Sequence, residues 1–238
     1  MQLEVNGVVA GYLPDIDILR GVSVIARPGQ LTTIIGANGV GKSTLLKTII
    51  GQLRPHTGTI SYKGLDLTGL ATRDLVRNGI AYVAQHHALF RDMTVAENMD
   101  MATWSFRADR TRARRAMERA YERAPYLKSF ASRRAGLMSG GQQRLMQLEL
   151  ALIADPDLIL VDEPTVGLDP KRAAMIYQHM RRLVSEEGKT ILMVDQNVIA
   201  GVDVADYIYV LELGANKLEG TKARFDSEYR DTIATWLF

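Results

Sequence analysis

The sequence predicts an α/β protein, and three observations lead there. Residues 158–161 (Leu-Ile-Leu-Val) and 190–194 (Thr-Ile-Leu-Met-Val) are short apolar runs on either side of a helical stretch, 170–186. Such runs are expected of parallel strands buried on both faces. A glycine-rich run, 36–43, joins the apolar stretch Leu31–Ile35 to a helical one, 42–50. Near Thr94 the texture changes to an arginine-rich helical stretch that ends near Ala135.

The 238 residues suffice for one large domain, or a domain with a subdomain, and for a core that needs no covalent staple. With 47% hydrophobic and 24% charged residues, the composition is that of a soluble globular chain. A net charge of +2 exerts no global pull toward nucleic acid, so no nucleic-acid partner is expected. The absence of cysteine excludes a disulfide framework and thiolate metal sites, and it suits a reducing cytosol. Met1 to Val9 carries no basic segment leading into a long apolar run, so no signal peptide is expected. No stretch approaches the ~18–20 apolar residues of a membrane span. Such a chain would serve a membrane by docking to another chain.

The opening third reads as β-branched runs at Leu3–Ala10, 22–26, Leu31–Ile35 and 59–62, punctuated by Gly7, Gly21, Pro28-Gly29 and Gly58. Residues 80–84 form another short strand. Thr94-Val95-Ala96-Glu97 has the form of a capping box. From Trp104 to Ala135 there are nine arginines and one lysine against Asp109, Glu118 and Glu122. We read 94–135 as a helical subdomain, with 1–93 and 136–238 forming the core. Its charge is expected to be a solvated face with local pairs such as Glu118 with Arg114 or Glu122 with Arg119. An anionic lipid surface is the alternative, at ~1 kcal/mol per basic residue. Residues 139–153 read as a helix, and 207–213 with 217–218 as a hairpin around Gly214.

Gly36-Ala37-Asn38-Gly39-Val40-Gly41-Lys42-Ser43 fits the pattern G-x-x-x-x-G-K-[ST], and Thr44 follows it into the helix. Glycines permit turns that aim successive N–H groups at phosphate oxygens, and the helix start adds partial positive charge. Lys42 is expected to reach the β- and γ-phosphates of a nucleotide, and Ser43 to ligate Mg²⁺. The required acid follows at 162. Asp162 emerges from the carboxyl end of the strand 158–161, where ligands bind in open α/β sheets, and is placed to hold Mg²⁺ through water. Glu163 can orient the attacking water as general base.

Ser139-Gly140-Gly141-Gln142-Gln143-Arg144 opens a second helix. A hydroxyl and two glycines there form a second anion site. One nucleotide has one γ-phosphate, so a second site in the same chain makes sense if it grips the nucleotide of a partner. These residues resemble the ABC signature sequence, with Met138 in place of its leading leucine.

The resemblance to ABC ATPases covers almost the whole chain. It implies a P-loop core with an antiparallel β-subdomain and a helical subdomain, ATP and Mg²⁺ as ligands, and a head-to-tail pair holding two ATP molecules. It places Tyr12 on the adenine, where stacking is worth roughly 1–3 kcal/mol. It places Gln85 at Mg²⁺ and at the hinge to the helical subdomain. It makes Asp169, in Gly167-Leu168-Asp169, the contact that crosses to the partner. The partners implied are a second ABC ATPase subunit, transmembrane permease subunits and, indirectly, an external solute-binding protein. The location implied is cytoplasmic, peripheral on the inner face of the cell membrane.

Val194-Asp195-Gln196-Asn197 departs from the usual pattern, which has histidine at the position of Gln196. Glutamine can still hydrogen-bond the γ-phosphate but cannot take up a proton near neutral pH. With Phe90, Met93-Thr94-Val95-Ala96-Glu97-Asn98, the run 207–211 and the ending Trp236-Leu237-Phe238, the glutamine resembles the shorter ATPase subunit of bacterial branched-chain amino-acid importers and their urea and amide relatives. That group often has Ala-Pro where this chain has Asp169-Pro170. The resemblance implies a longer partner ATPase and two unequal nucleotide sites. An exporter ATPase and a non-transport ABC ATPase are the alternatives; neither a fused membrane domain nor a coiled coil is present to favour them. His86 and His87, without further ligands, read as loop residues rather than a metal site.

Overall fold

A computed structural model describes residues 2–85 and 89–229. His86, His87 and the ending Trp236-Leu237-Phe238 lie outside the described residues. In chain order the elements are β1 (Leu3–Ala10), β2 (Leu19–Ala26), β3 (Leu31–Ile35), α1 (Lys42–Ile49), β4 (Thr57–Tyr62), β5 (Leu65–Asp66), α2 (Thr72–Arg77), β6 (Ile80–Val83), α3 (Val95–Ala102), α4 (Arg110–Arg123) and α5 (Pro125–Ser129). There follow α6 (Gly140–Leu152), β7 (Leu158–Asp162), α7 (Pro170–Glu187), β8 (Thr190–Asp195), α8 (Val198–Val204), β9 (Tyr207–Glu212) and β10 (Ala215–Thr221).

The apolar runs became the centre of a six-stranded sheet of order β10-β9-β3-β8-β7-β6. From β9 to β6 every pairing is parallel, and β10 closes the edge antiparallel to β9. Every residue of β3, β7 and β8 is buried, as a sheet covered on both faces requires. The β-rich opening third folds mainly into a second, antiparallel sheet of order β2-β1-β4-β5.

One core fills the space between the two sheets and around α1, with Leu3, Val24, Ile34, Leu45, Ile49 and Leu160 at its centre. A second packs the other face of the six-stranded sheet against α6, α7 and α8, through Leu148, Ile159, Ile176, Met180 and Ile191. Each such side chain, fully buried, is worth about 1.5–3 kcal/mol. A third, smaller core joins Val95, Met99, Ala116, Ala120 and Leu127 to Met138, Met146 and Ile153. Helix α6 thus serves two cores: Met146 faces one and Leu148 the other.

The helical segment is three helices rather than one continuous stretch. Asp109 caps α4, accepting the Arg112 N–H at 2.9 Å, and Pro125 starts α5 at a position that needs no N–H. The Thr94–Glu97 capping box forms, with reciprocal bonds of 2.7 and 3.2 Å. Arg114 pairs with Glu118 at 3.6 Å, but Arg119 reaches Asp155 at 3.2 Å instead of Glu122. In the β9–β10 hairpin Leu213 and Gly214 both take positive φ, 49° and 83°. A β-carbon on Gly214 would lie 2.1 Å from the Ile18 carbonyl oxygen, so glycine is required there.

Candidate functional site

The site stands at the carboxyl ends of β3, β7 and β8, where three parallel strands deliver their loops side by side. The loop 36–41 leaves β3 and turns directly into α1. Two of its glycines are fixed by close approach. A β-carbon on Gly36 would meet the Leu211 carbonyl oxygen at 2.5 Å, and one on Gly41 would meet Leu19 Cδ2 at 2.8 Å. Gly41 is the N-cap of α1, with φ 104° and no side chain to cap the helix. The first N–H groups of α1 are left for an outside acceptor. Ala37, Asn38 and Gly39 are exposed around it, and Thr44 is buried beneath.

Lys42 is 4% exposed. Its Nζ donates to the carbonyls of Gly36 at 2.8 Å and Ala37 at 3.0 Å, and stands 4.0 Å from Glu163 Oε1. Burial holds the amine below the usual lysine range, and Glu163, Asp195 and Asp162 push it back up. Ser43 Oγ donates to Asp162 Oδ1 at 2.9 Å, and the Tyr82 hydroxyl donates to Asp162 Oδ2 at 3.1 Å. Burial first, then Asp162, raise the Tyr82 phenol, so it stays a donor. The Ser43 hydroxyl beside the Asp162 carboxylate is a hard oxygen set that fits Mg²⁺. Among the described residues no cluster of three His, Cys, Asp or Glu could hold a metal. Mg²⁺ needs none here, because it binds through one or two carboxylates with phosphate and water.

Glu163 sits next to Asp162 with φ 43°, a conformation that costs a non-glycine residue energy. Its N–H donates to the Val194 carbonyl at 3.0 Å, and its Oε2 accepts from Gln85 Nε2 at 2.6 Å. Gln85 therefore reaches the site through Glu163. Gln196 is exposed just past β8 and lines, with Gly36, Ala37 and Asn38, a hollow of about 420 Å³. Tyr12 is 55% exposed on the loop after β1, and its hydroxyl accepts from Lys47 Nζ at 3.2 Å.

The second group stands apart. Ser139, Gly141 and Gln142 line a different hollow with Tyr126, Arg172 and Met175, and no residue of the loop 36–44 lines it. Ser139 caps α6 in a capping box: its N–H donates to Gln142 Oε1 at 3.0 Å, and its Oγ accepts the Gln142 N–H at 3.4 Å. Gly140 and Gly141 lie inside the helix. A β-carbon on Gly141 would lie 3.0 Å from Cδ of the flexible Arg172 side chain of α7, and one on Gly140 would make an ordinary contact with Leu168 at 3.4 Å. Asp169 caps α7, accepting the Arg172 N–H at 3.0 Å.

Sequence reasoning passed over Tyr82 and the weight of Arg144. The Arg144 guanidinium is buried and donates to the carbonyls of Ala84 at 2.7 Å, Asp162 at 2.8 Å, Glu163 at 2.9 Å and Pro164 at 2.8 Å. Burial pushes it down to about 10. It ties the second helix start to the acid pair and to the residue before Gln85. The available signal was an arginine between Gln143 and Leu145 with no acid three or four positions away.

The family model described as ABC transporter matches residues 19–166. The chain is 38% identical over 215 residues to the high-affinity branched-chain amino acid transport ATP-binding protein BraG of Pseudomonas aeruginosa, covering 90% of this chain and 91% of the relative. It is 34% identical over 212 residues to the probable branched-chain amino acid transport ATP-binding protein LivF of Archaeoglobus fulgidus, covering 89% of each. Among solved structures, a nucleotide-free ATP-binding cassette from an ABC transporter superposes with a TM-score of 0.86 at 26% identity, over 100% of this chain and 99% of that one. With the match extending over more than half its length, the chain belongs to the ABC transporter family, as one of its ATP-binding and ATP-hydrolysing subunits.

Proposed function

We propose that this ATPase energises the import of branched-chain amino acids through a permease made of other chains. The two relatives named above support the solute class. No described helix is long and apolar enough to cross a membrane, which is in keeping with a permease made of other chains.

In this reading the loop 36–44 cradles the ATP phosphates, and Lys42 turns from its own loop carbonyls to the β- and γ-phosphates. Tyr12 stacks on the adenine. Ser43, Asp162 and Gln85 hold Mg²⁺, which offsets charge on the phosphates. Glu163 orients the attacking water and takes its proton; Gln85 and the neighbouring Lys42 hold that carboxylate in place. Gln196 hydrogen-bonds the γ-phosphate without proton exchange. Ser139, Gly140, Gly141, Gln142 and Asp169 act on the nucleotide of a second ATPase subunit. The glutamine at 196 favours a partner of different sequence, and hence unequal sites.

The observation that carries the reading is the arrangement of Glu163 within 2.6 Å of Gln85 and 4.0 Å of Lys42, beside the 2.9 Å Ser43–Asp162 bond. The test is size-exclusion chromatography of Glu163→Gln with ATP and Mg²⁺, beside an ATPase assay on the parent. A shift to dimer, with hydrolysis in the parent only, supports the sandwich and self-pairing. A monomer that binds ATP, with little parental turnover, assigns the second site to another subunit. A chain that binds no ATP contradicts the reading.

A further inference from the structure

Between Glu163 and Gln196 runs a buried polar chain that the roles above leave unused. Tyr177, on α7, is 4% exposed. Its hydroxyl donates to Asp195 Oδ2 at 2.6 Å and meets Thr165 Oγ1 at 3.0 Å. Asp195 ends β8, fully buried, and its Oδ1 accepts the Asn197 N–H at 2.9 Å across the intervening Gln196. Thr165 stands two residues past Glu163, 8% exposed, and its carbonyl accepts the Leu168 N–H at 3.1 Å. Asn197 caps α8, accepting the Ala200 N–H at 3.1 Å. That helix is seated against β3 so closely that a β-carbon on Gly201 would lie 3.2 Å from Thr33. Three side chains therefore join the loop that leads to Asp169, the middle of α7 and the turn that presents Gln196.

Donors and acceptors balance along the chain. Tyr177 gives its proton to Asp195, and Thr165 gives its own to the phenol oxygen. Were Asp195 protonated, the same three groups would run the chain in reverse, so no bond is lost either way. Burial raises both the Tyr177 phenol and the Asp195 carboxyl, in keeping with the dry setting. A buried polar chain is costly unless every member is satisfied, and once satisfied it holds its elements in one arrangement.

We propose that Tyr177 is a positioning residue for hydrolysis: through Asp195 and Thr165 its hydroxyl fixes the Gln196 turn relative to the loop that runs from Glu163 to Asp169. The inference rests on the reading above only for its kinetic consequence. Tyr177→Phe and, separately, Thr165→Val in the full chain test it by hydrogen–deuterium exchange and steady-state ATPase kinetics. Tyr177→Phe raises amide exchange about tenfold in both 165–168 and 196–197 and leaves α1 and β1 unchanged. Thr165→Val, at the far end of the chain, raises exchange at 196–197. The kcat of Tyr177→Phe falls about tenfold, KM for ATP stays within about twofold, and the loss vanishes in a Gln196→Ala background. Exchange that rises evenly across the chain, or within α7 alone, overturns the proposal. So does a loss that adds in full to that of Gln196→Ala. A parent that binds no ATP contradicts the ATPase reading alone, one that binds ATP without turnover assigns the second site to another subunit, and in either case the exchange measurements still decide the role of Tyr177. If Tyr177→Phe does not fold, Thr165→Val decides it through the same 196–197 readout.

Discussion

Two helices of this chain begin with glycine beside a hydroxyl residue, and they are built in opposite ways. Helix α1 starts at Gly41, in a left-handed conformation, with no side-chain cap. Helix α6 starts at Ser139 with both bonds of a capping box already made. The first keeps its N–H groups open, with a buried lysine and two carboxylates facing it. The second has two N–H groups, those of Ser139 and Gln142, bonded within its own capping box, and its buried cation, Arg144, is spent on backbone carbonyls and Gln147. A phosphate can enter the first directly. At the second it meets a side-chain cap, beside which the Gly140 and Gly141 N–H groups are left for an outside acceptor.

The largest effect separates the two starts by chemistry. Glu163→Gln should lower the turnover of the assembled ATPase by about 10²–10⁴-fold while ATP still binds, since only proton acceptance is lost. An equal loss in binding would place Glu163 with the phosphate grip and blur the contrast. Next, Gly41→Ala should abolish ATP binding, because the side chain meets Leu19 Cδ2 at 2.8 Å and φ is 104°. Gly141→Ala, against the movable Arg172 side chain, should cost far less; a fluorescent nucleotide titration would show it. Smaller again, Ser139→Ala should lower stability by about 0.5–2 kcal/mol, the value of a helix cap, measured by urea unfolding. No change there would mean that α6 starts as open as α1.

The smallest effect concerns pH. Burial raises the Asp195 carboxyl above its ordinary value of 3.8, with Tyr177, the turn N–H groups and Lys42 opposing. The folded state then holds a proton that the unfolded chain has released. Stability is full below the ordinary value and falls as pH rises toward the raised one. The lowered carboxyls of Asp155, Asp169 and Glu97 act with opposite sign, but their contribution is complete once pH passes about 5. Asp195→Asn should remove its share of the decline in urea midpoint that sets in as pH rises past the ordinary value; an unchanged pH profile would deny Asp195 this role.

Much of this was legible because the signals are local. The loop 36–43 lies between a β-branched run and a helical one, and the capping box at Thr94 is a spacing of three residues. What escaped depends on distant backbone. Arg144 is held by carbonyls, which leave no trace in a sequence. Gln85 and Glu163 meet across 78 positions, and Arg119 finds Asp155 across 36. Helix α8 was missed because Gly201 and three valines weaken its helical character; packing against Thr33 and Ile35 demands the glycine.

The most direct measurement is equilibrium binding of ATP to the monomeric chain, comparing Lys42→Ala with Ser139→Ala, followed by turnover of each in the assembled ATPase. The account predicts that Lys42→Ala loses ATP in the monomer. Ser139→Ala should bind it like the parent and fail only in assembled turnover. Equal loss of monomer binding in both variants would mean that the two helix starts serve one nucleotide, and would contradict the account.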